Sequence, residues 1–250
     1  MKQILLVGGA GGLGGALVKR LLDHPYQLVV AGRTRPDDAR LQKFYPIDAR
    51  SVDWRSFYLT VEKDAAARIS AVIFGAGAAV FGKTVSVPLE RARQTFELNF
   101  WGCTTAASAA AEYWDKENQE GKFIAILSLV ARRAVPFEAH YSASKAAAAR
   151  FLECLQLEYG HKKIQFICAF PGLLRTPFRR RAEWYGIEPS FVDEGAEVQK
   201  TAQAIVDLLE GKRRTRVIGW RERSIDLIDR LMPELYDCAV LRPRVKRMLK

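Results

Sequence analysis

Ser128, Tyr141 and Lys145 have the residue types and spacing to carry acid–base chemistry. Ser128 follows a short apolar run, Tyr141 comes thirteen residues later, and Lys145 lies four residues beyond Tyr141. Residues four apart lie on the same face of a helix, so a phenol and an ammonium can serve one reacting group. Ser128 can hydrogen-bond the same oxygen. The spacing therefore predicts a site that passes a proton to or from a carbonyl or alcohol oxygen.

The phenol of a free tyrosine titrates near ~10, so its acid–base role depends on its surroundings. We expect the Lys145 ammonium, with a cationic nicotinamide ring, to lower the pKa of Tyr141. Tyr141 would donate a proton during reduction and accept one in the reverse direction, while Lys145 would also bind the nicotinamide ribose. The plainer interpretation is that Tyr141 opens an alanine-rich helix and Ser128 ends a strand. A second pair with this spacing, Tyr159 and Lys163, falls where a helix ends and has no suitable serine before it.

A glycine-rich turn near the amino terminus predicts a dinucleotide site. An apolar strand over residues 3–7 leads into Gly8-x-x-x-Gly12-Leu13-Gly14 and then into a helical pattern. Glycines between a strand and a helix let backbone N–H groups approach a pyrophosphate at the positive end of the helix. The first two glycines of this spacing are further apart than in the common fingerprint. A flexible loop is the alternative interpretation.

The turn after the second predicted strand, residues 27–31, carries Arg33 and Arg35. Dinucleotide folds that prefer NAD usually place a carboxylate here for the ribose 2′-hydroxyl. A guanidinium pairs instead with a 2′-phosphate, so NADP(H) is favoured over NAD(H). A solvated basic loop is the alternative. Asp48 follows the third predicted strand, where it could hydrogen-bond the adenine amine.

Three later segments also fit a site at the ends of strands. Gly75-Ala76-Gly77 follows a strand over residues 71–74 and offers bare backbone to a cofactor. Asn99 lies inside a helical region predicted over residues 89–115. Pro171-Gly172 and Thr176 follow a sixth strand, at the carboxyl end where open α/β sheets bind ligands.

Two segments nearer the carboxyl terminus depart from this pattern. Residues 177–194 have no clear period and are predicted to be a substrate lid. Residues 212–250 hold twelve Lys/Arg against five Asp/Glu, and apolar residues at helical spacing predict an amphipathic, basic extension over residues 223–250. One interpretation is a helix packed over the active-site mouth. The other is a peripheral contact with an anionic membrane or partner. Nucleic-acid binding has only charge in its favour and is not predicted.

Composition sets limits on the class of protein. The 250 residues are 49% hydrophobic with a net charge of +11, as suits one globular domain. No apolar run approaches the ~18 residues of a membrane span. The amino-terminal apolar run stops at Gly8 without a cleavage site, so a cytoplasmic location is expected.

No metal is predicted. The cysteines are expected to be buried, reduced thiols: Cys103, Cys154, Cys168 and Cys238.

From Lys2 to about Ile218 the ordered motifs resemble those of the short-chain dehydrogenase/reductase family. The resemblance implies an α/β, single-domain, doubly wound Rossmann-like fold over residues 1–222, with a seven-stranded parallel sheet and a C-terminal helical extension. It implies a catalytic tetrad of Asn99, Ser128, Tyr141 and Lys145, in which Asn99 supports a helix bend and a relay water. The cofactor contacts expected are Gly8, Gly12, Leu13, Gly14, Arg33, Asp48, Gly75, Ala76, Gly77, Tyr141, Lys145, Pro171, Gly172 and Thr176, the last at the nicotinamide carboxamide.

Two residues depart from the family pattern. Val7 stands where the family usually has threonine, and Gly75 stands where it usually has asparagine. Both usual side chains stabilise the cofactor loops by hydrogen bonds, so altered local rigidity is expected. The family also often forms dimers or tetramers through the helices around Asn99 and Tyr141.

Together these features predict an NADPH-dependent carbonyl reductase that acts on a ketone or aldehyde. Arginines in the lid and in the loop after Ser128 favour an anionic or acyl-carrier-linked substrate: Arg132, Arg133, Arg175 and Arg179 to Arg181. The alternative is a non-catalytic NADP(H)-binding regulator or scaffold of the same fold whose tetrad is vestigial.

Overall fold

A computed structural model describes residues 2–189, 195–211 and 215–248 of the chain. The strands formed by these residues are β1 (Lys2–Val7), β2 (Tyr26–Gly32), β3 (Lys43–Pro46), β4 (Ile69–Phe74), β5 (Val80–Gly82), β6 (Gly121–Ile126), β7 (Ile164–Pro171), β8 (Glu183–Tyr185) and β9 (Thr215–Ile218). The α-helices are α1 (Gly12–Leu22), α2 (Trp54–Ala65), α3 (Leu89–Phe96), α4 (Cys103–Lys116), α5 (Ala139–Tyr159), α6 (Phe178–Arg181), α7 (Val198–Val206), α8 (Trp220–Leu231), α9 (Pro233–Tyr236) and α10 (Arg242–Met248).

Seven strands form one parallel sheet in the order β3-β2-β1-β4-β6-β7-β9. This confirms the predicted α/β fold with a seven-stranded parallel sheet. The central strands are nearly continuous apolar runs because helices cover both faces of the sheet. The strand order reverses between β1 and β4, which opens a crevice at their carboxyl ends. Gly8 and Gly75 follow these two strands directly.

Two hydrophobic cores lie on the two sides of the sheet. Successive side chains of a strand point to opposite faces. Leu5 and Val7 of β1 thus pack with residues of α2, α4 and α5 in one core. Ile4 and Leu6 pack with residues of α1 and α7 in the other. The sheet is therefore the middle layer of three and holds its carboxyl ends rigidly together.

The helical region predicted over residues 89–115 is interrupted at Asn99. A π-helical turn, Glu97–Gly102, joins α3 to α4. A Cβ on Gly102 would lie 2.8 Å from the Ala49 carbonyl oxygen, so the glycine permits a close approach of the two segments. π-turns occur as local insertions in α-helices, often at functional sites. This turn supplies the bend that the family resemblance expects at Asn99.

The segment predicted to be a lid contains regular secondary structure. In the lid, α6 is followed by β8, which pairs in parallel with β5. Residues 190–194 of the predicted lid lie outside the described residues. The next helix is α7, Val198–Val206, and turns follow it beyond Val206.

The carboxyl-terminal segment forms helices α8, α9 and α10. Pro233 is the first residue of α9. Proline favours this position because its backbone angle is already helical and the N–H it lacks would have no partner there. Across the three described ranges, no helix has both the length and the hydrophobicity to cross a membrane. All four cysteines are free thiols, but only Cys103 and Cys168 are buried. The predicted burial of Cys154 is wrong because it lies on the outer face of α5, and that of Cys238 because the turn after α9 is exposed.

Candidate active site

A cavity of about 1130 Å³ lies at the carboxyl ends of the parallel strands. The fourteen residues predicted to contact a cofactor all line it, and so does Ser128. Asn99 lies behind the wall, fully buried. The cavity extends from the glycine turn after β1 to the inner side of α8, where Glu222 and Ile225 line it. One continuous cavity thus contains both the predicted dinucleotide site and the residues predicted to transfer the proton.

The glycine turn is held rigidly against the neighbouring strand ends. Gly8 has a positive φ of 93°, and a Cβ there would lie 2.6 Å from the Ala76 backbone nitrogen. A Cβ on Gly14 would lie 2.2 Å from the Gly8 carbonyl oxygen. Side chains are therefore excluded where α1 begins, and bare backbone faces the cavity at the positive end of the helix. These features fit the diphosphate of a dinucleotide.

Backbone hydrogen bonds fix the two positions that depart from the family pattern. The Gly75 N–H donates to the Val7 carbonyl oxygen at 2.8 Å, and the Gly8 N–H donates to the Ala31 carbonyl oxygen at 2.8 Å. A Cβ on Gly75 would lie 3.2 Å from the Ile126 side chain. Main-chain pairing and close packing thus hold these loops where polar side chains usually do so in the family.

The end of the cavity beside β2 and β3 is basic. Arg33 and Arg50 line it and are exposed. The Arg50 guanidinium donates to both carboxylate oxygens of Asp48. These hydrogen bonds lower the pKa of Asp48 to about 2. Arg35, in contrast, turns away and donates to the Leu41 carbonyl oxygen at 2.5 Å.

Ser128, Tyr141 and Lys145 meet in the middle of the cavity. Ser128 follows β6, while Tyr141 and Lys145 lie one turn apart near the start of α5. The Ser128 hydroxyl lies near enough to the Tyr141 phenol to lower its pKa. The Lys145 ammonium donates to the Ile126 carbonyl oxygen at 3.2 Å. The three groups predicted from spacing are therefore brought together, facing the space next to the glycine turns.

Asn99 ties the cavity wall to the helix that carries Tyr141. Its side-chain oxygen accepts from the Ala78 N–H at 2.9 Å, and its side-chain nitrogen donates to the Ala78 carbonyl oxygen at 2.8 Å. The same nitrogen donates to Ser144 Oγ at 3.0 Å. Ser144 in turn donates to the Tyr141 carbonyl oxygen at 2.8 Å. Asn99 thus fixes α5 against the loop that follows β4.

The pKa of Tyr141 is displaced in the direction opposite to the one expected from the sequence. Burial raises the pKa of this phenol, and the Glu138 carboxylate raises it further. The nearby Ser128 hydroxyl and the charge of Arg179 oppose the rise. The expected lowering of this pKa combined Lys145 with a nicotinamide ring, whereas in the protein alone desolvation dominates. Tyr141 therefore carries its proton at neutral pH.

Lys145 is buried as deeply as the tyrosine it accompanies. Only 5% of its surface is exposed, and burial lowers the pKa of its ammonium to about 8. The interaction with Cys103 opposes this lowering of the pKa. A Cβ on Gly77 would lie 3.3 Å from the Lys145 ammonium, so bare backbone adjoins it. Lys145 is thus poised to be cationic at neutral pH and to lose its charge in mild alkali.

Residues 2–184 match the family model described as short chain dehydrogenase. The chain belongs to the short chain dehydrogenase family. An uncharacterized oxidoreductase of Bacillus subtilis, YxnA, is 22% identical over 248 residues, which cover 94% of this chain and 70% of the relative. As a member of this family, the protein is an NAD(P)-dependent oxidoreductase.

Solved structures of short chain dehydrogenases share the fold. One from Burkholderia cenocepacia, in complex with NADP, has a TM-score of 0.80 and 23% identity, covering 96% of this chain and 99% of that one. A 4-hydroxyisoleucine dehydrogenase complexed with NADH has a TM-score of 0.74 and 18% identity, covering 88% of this chain and 98% of that one. At these identities the likeness establishes the Rossmann-like architecture.

The predicted lid of this short chain dehydrogenase is tied to the start of α5 by a buried ion pair. Arg179 donates to Glu138 Oε1 at 2.7 Å, and the two side chains are 14% and 6% exposed. The Arg179 guanidinium also lies 4.5 Å from the centre of the Phe81 ring and 5.0 Å from that of Trp184. Phe81 packs edge-on against Tyr141. The lid thus closes one side of the cavity beside the phenol.

Helix α8 of the dehydrogenase closes the opposite side through a second set of ion pairs. Arg132 binds both carboxylate oxygens of Asp226. Arg133 pairs with Asp229 at 3.0 Å and also with Asp237. Like Arg179, these two arginines were expected to favour an anionic substrate, and all three are instead paired with carboxylates of the same chain.

Sequence reasoning missed several residues that shape the site. Ser144, Glu138 and Arg50 lie near recognised residues, but their partners became known only from the fold. An Asp-x-Arg pattern after a strand, as in Asp48 and Arg50, is the one local signal that could have been used. The second Tyr-x-x-x-Lys pair is remote from the cavity, because Tyr159 ends α5 and Lys163 pairs with Glu120 at 3.0 Å.

Proposed function

We propose that this short chain dehydrogenase reduces a ketone or aldehyde to an alcohol with NADPH, and that Tyr141 donates the proton. One observation carries the proposal: a phenol that holds its proton at neutral pH lines the same cavity as the Ser128 hydroxyl and a rigid glycine cradle. Reduction needs a proton donor, whereas oxidation needs a base. With its proton in place at neutral pH, Tyr141 can serve as the donor that reduction needs.

Each group of the proposed tetrad has a distinct task. The Ser128 and Tyr141 hydroxyls bind the carbonyl oxygen of the substrate. NADPH, when bound, supplies the hydride that reduces the carbonyl carbon. As the electron pair of the C=O bond moves to oxygen, Tyr141 gives its proton to that oxygen and an alcohol forms. Lys145, when cationic, stabilises the phenolate left behind, and Asn99 positions α5 through Ser144.

The charge at the ribose end of the cavity supports NADP(H) over NAD(H). Arg33 and Arg50 present two guanidinium groups there, and guanidinium suits a phosphate. Asp48, the carboxylate that would repel a 2′-phosphate, is paired with Arg50. The related structures were solved with NADP in one case and NADH in the other, so the preference rests on this chain's own residues.

The substrate class, the oligomeric state and the cellular location are also part of this proposal. Arg181 lines the cavity and is exposed. We therefore propose Arg181 as the residue that would bind an anionic or acyl-linked substrate. We also propose a homo-oligomer assembled through the helices around Asn99 and Tyr141, and a cytoplasmic location.

Cofactor titration followed by a carbonyl panel tests the proposed function. NADPH and NADH binding would be measured by fluorescence, and NADPH oxidation would then be followed with neutral and anionic ketones and aldehydes. We expect tighter binding of NADPH, and turnover of at least one carbonyl. Tighter binding of NADH would contradict the cofactor assignment. NADPH binding without turnover across the panel would favour the non-catalytic scaffold.

A further inference from the structure

Half of the exposed large apolar side chains of the described residues are concentrated at the carboxyl terminus. Seven such residues lie between positions 220 and 240, and three of them are Trp220, Leu227 and Leu231 of α8, which are 72%, 55% and 71% exposed. The others are Ile228, Met232, Leu235 and Val240. Contiguous exposed apolar surface on a folded domain marks a site of interaction.

Helix α8 has an inverted amphipathic arrangement. At ~100° per residue, Trp220, Leu227 and Leu231 fall within about 40° of one another around the helix axis. With Ile228 they form the outer face of α8. The acidic residues fall on the opposite side, the inner face, where Asp226 and Asp229 are ion-paired with Arg132 and Arg133. The helix therefore turns its carboxylates to the protein and its apolar side chains to solvent.

Basic side chains flank the outer face of α8 on both sides. At the same ~100° per residue, Arg221 lies along one edge of the apolar arc, and Arg223 and Arg230 lie along the other. All three are exposed. Beyond α9, Arg242 and Lys246 of α10 are also exposed. The surface around the apolar arc is consequently cationic, and the carboxylates of α8 that could balance it are on the inner face.

We propose that the outer face of α8 docks on an anionic lipid bilayer surface. An apolar stripe with a tryptophan and flanking arginines can bury its side chains at the headgroup boundary while the guanidinium groups pair with lipid phosphates. The length of α8, about 18 Å for 12 residues, lets it lie in the plane of the interface. Since its inner face lines the cavity, docking holds the rim of the cavity at the lipid surface.

Charge distinguishes this occupant from a second copy of the chain. A twofold contact would place the same patch against itself. Arg221, Arg223 and Arg230 would then face their own equivalents, without carboxylates on the outer face of α8 to offset the repulsion. An anionic bilayer meets the same cations with opposite charge. The apolar arc and the charge around it therefore fit lipid better than self-association.

Vesicle flotation with the full chain tests the proposal. Vesicles of phosphatidylcholine alone would be compared with vesicles that also contain phosphatidylglycerol. We expect the protein to float with the anionic vesicles and to be released as salt is raised. Leu231→Glu should weaken binding on the order of tenfold or more, because it replaces a buried apolar contact with a charge. Arg223→Gln with Arg230→Gln should weaken it roughly thirtyfold, at about 1 kcal/mol per basic residue.

Leu59→Glu on α2 is the matched control, because Leu59 is 62% exposed and lies far along the chain from α8. It should float like the wild type. Thermal unfolding would check that each variant is folded, and the arginine double variant decides the matter if Leu231→Glu is not. Failure of the wild type to float, or equal losses with Leu231→Glu and Leu59→Glu, would overturn the proposal. So would a wild-type dimer that Leu231→Glu dissociates in the absence of vesicle binding.

Discussion

Burial displaces the pKa values of Tyr141 and Lys145 in opposite directions. A low-dielectric site disfavours charge, which raises the pKa of the phenol and lowers that of the ammonium to about 8. At neutral pH both groups therefore carry a proton. The spacing of Ser128, Tyr141 and Lys145 could be predicted from the sequence. The direction of the tyrosine shift could not, because it depends on the side chains that exclude water from the site.

The pH dependence of reduction follows from Lys145. Since its pKa is about 8, the ammonium is present below that pH and is lost as pH rises through it. Tyr141, with a raised pKa, keeps its proton over the same range. We expect the rate of carbonyl reduction at saturating NADPH to fall as pH rises through about 8. Arginine at position 145 keeps its charge in this range. The remaining reduction rate of Lys145→Arg should therefore not change with pH. An alkaline fall that persists in Lys145→Arg would show that another group is responsible.

Gly14 and Gly15 form a matched pair for testing the dinucleotide cradle. A Cβ at Gly14 would lie 2.2 Å from the Gly8 carbonyl oxygen, whereas one at Gly15 finds its nearest neighbour at 3.8 Å. Gly14→Ala should destabilise the fold by about 1–3 kcal/mol and weaken NADPH binding, because the turn must shift. Gly15→Ala should be neutral or stabilise α1 by about 0.5–1 kcal/mol. Urea unfolding and NADPH titration measure both, and equal behaviour of the two variants would refute the close approach.

At the scale of elements, the lid is held by secondary structure that has no sequence signal. Strands β5 and β8 are three residues each, too short to show a period of two. The sequence therefore predicted the lid only as an aperiodic segment. Likewise, the π-turn at Asn99 lies inside an otherwise regular helical pattern. It arises from packing against Ala49 and Ala78, which are distant in sequence.

The ion pair between Arg179 and Glu138 should couple the lid to α5. Arg179→Met removes the partner of a nearly buried carboxylate, and we expect a loss of roughly 3 kcal/mol in the free energy of unfolding. Glu138→Gln alone should also destabilise. The double variant should lose much less than the sum of the single variants, since it leaves no buried charge. Urea unfolding of all four proteins gives the coupling, and additive losses would contradict a paired lid.

In the molecule as a whole, the distribution of the excess positive charge could not be predicted from the sequence. The carboxyl-terminal surplus of Lys/Arg predicted an anionic partner or a helix over the active-site mouth. Arg132 pairs with Asp226, 94 residues away along the chain. Such a pair cannot be recognised without the fold. Asp226 and Asp229 of α8 are engaged internally, and the arginines of α8 remain outside.

These ion pairs should fix α8 over the cavity. Asp226→Asn removes the charge that binds Arg132, and the two side chains are 13% and 24% exposed. We expect amide exchange in α8 to accelerate on the order of tenfold, as local opening becomes easier. Glu197→Gln removes a solvent-exposed pair with Lys200 and should leave α8 unchanged. Hydrogen exchange by mass spectrometry compares the two, and unaltered protection of α8 in Asp226→Asn would refute the role of the pair.

We propose that the buried phenol of Tyr141 passes a proton to the substrate oxygen. Single-turnover NADPH oxidation with an accepted carbonyl, measured for the wild type and for Tyr141→Phe at saturating NADPH, tests this role. We expect Tyr141→Phe to lose roughly 10²–10⁴ in rate with unchanged NADPH affinity. Equal rates for the two proteins, with the cofactor bound equally well, would contradict it.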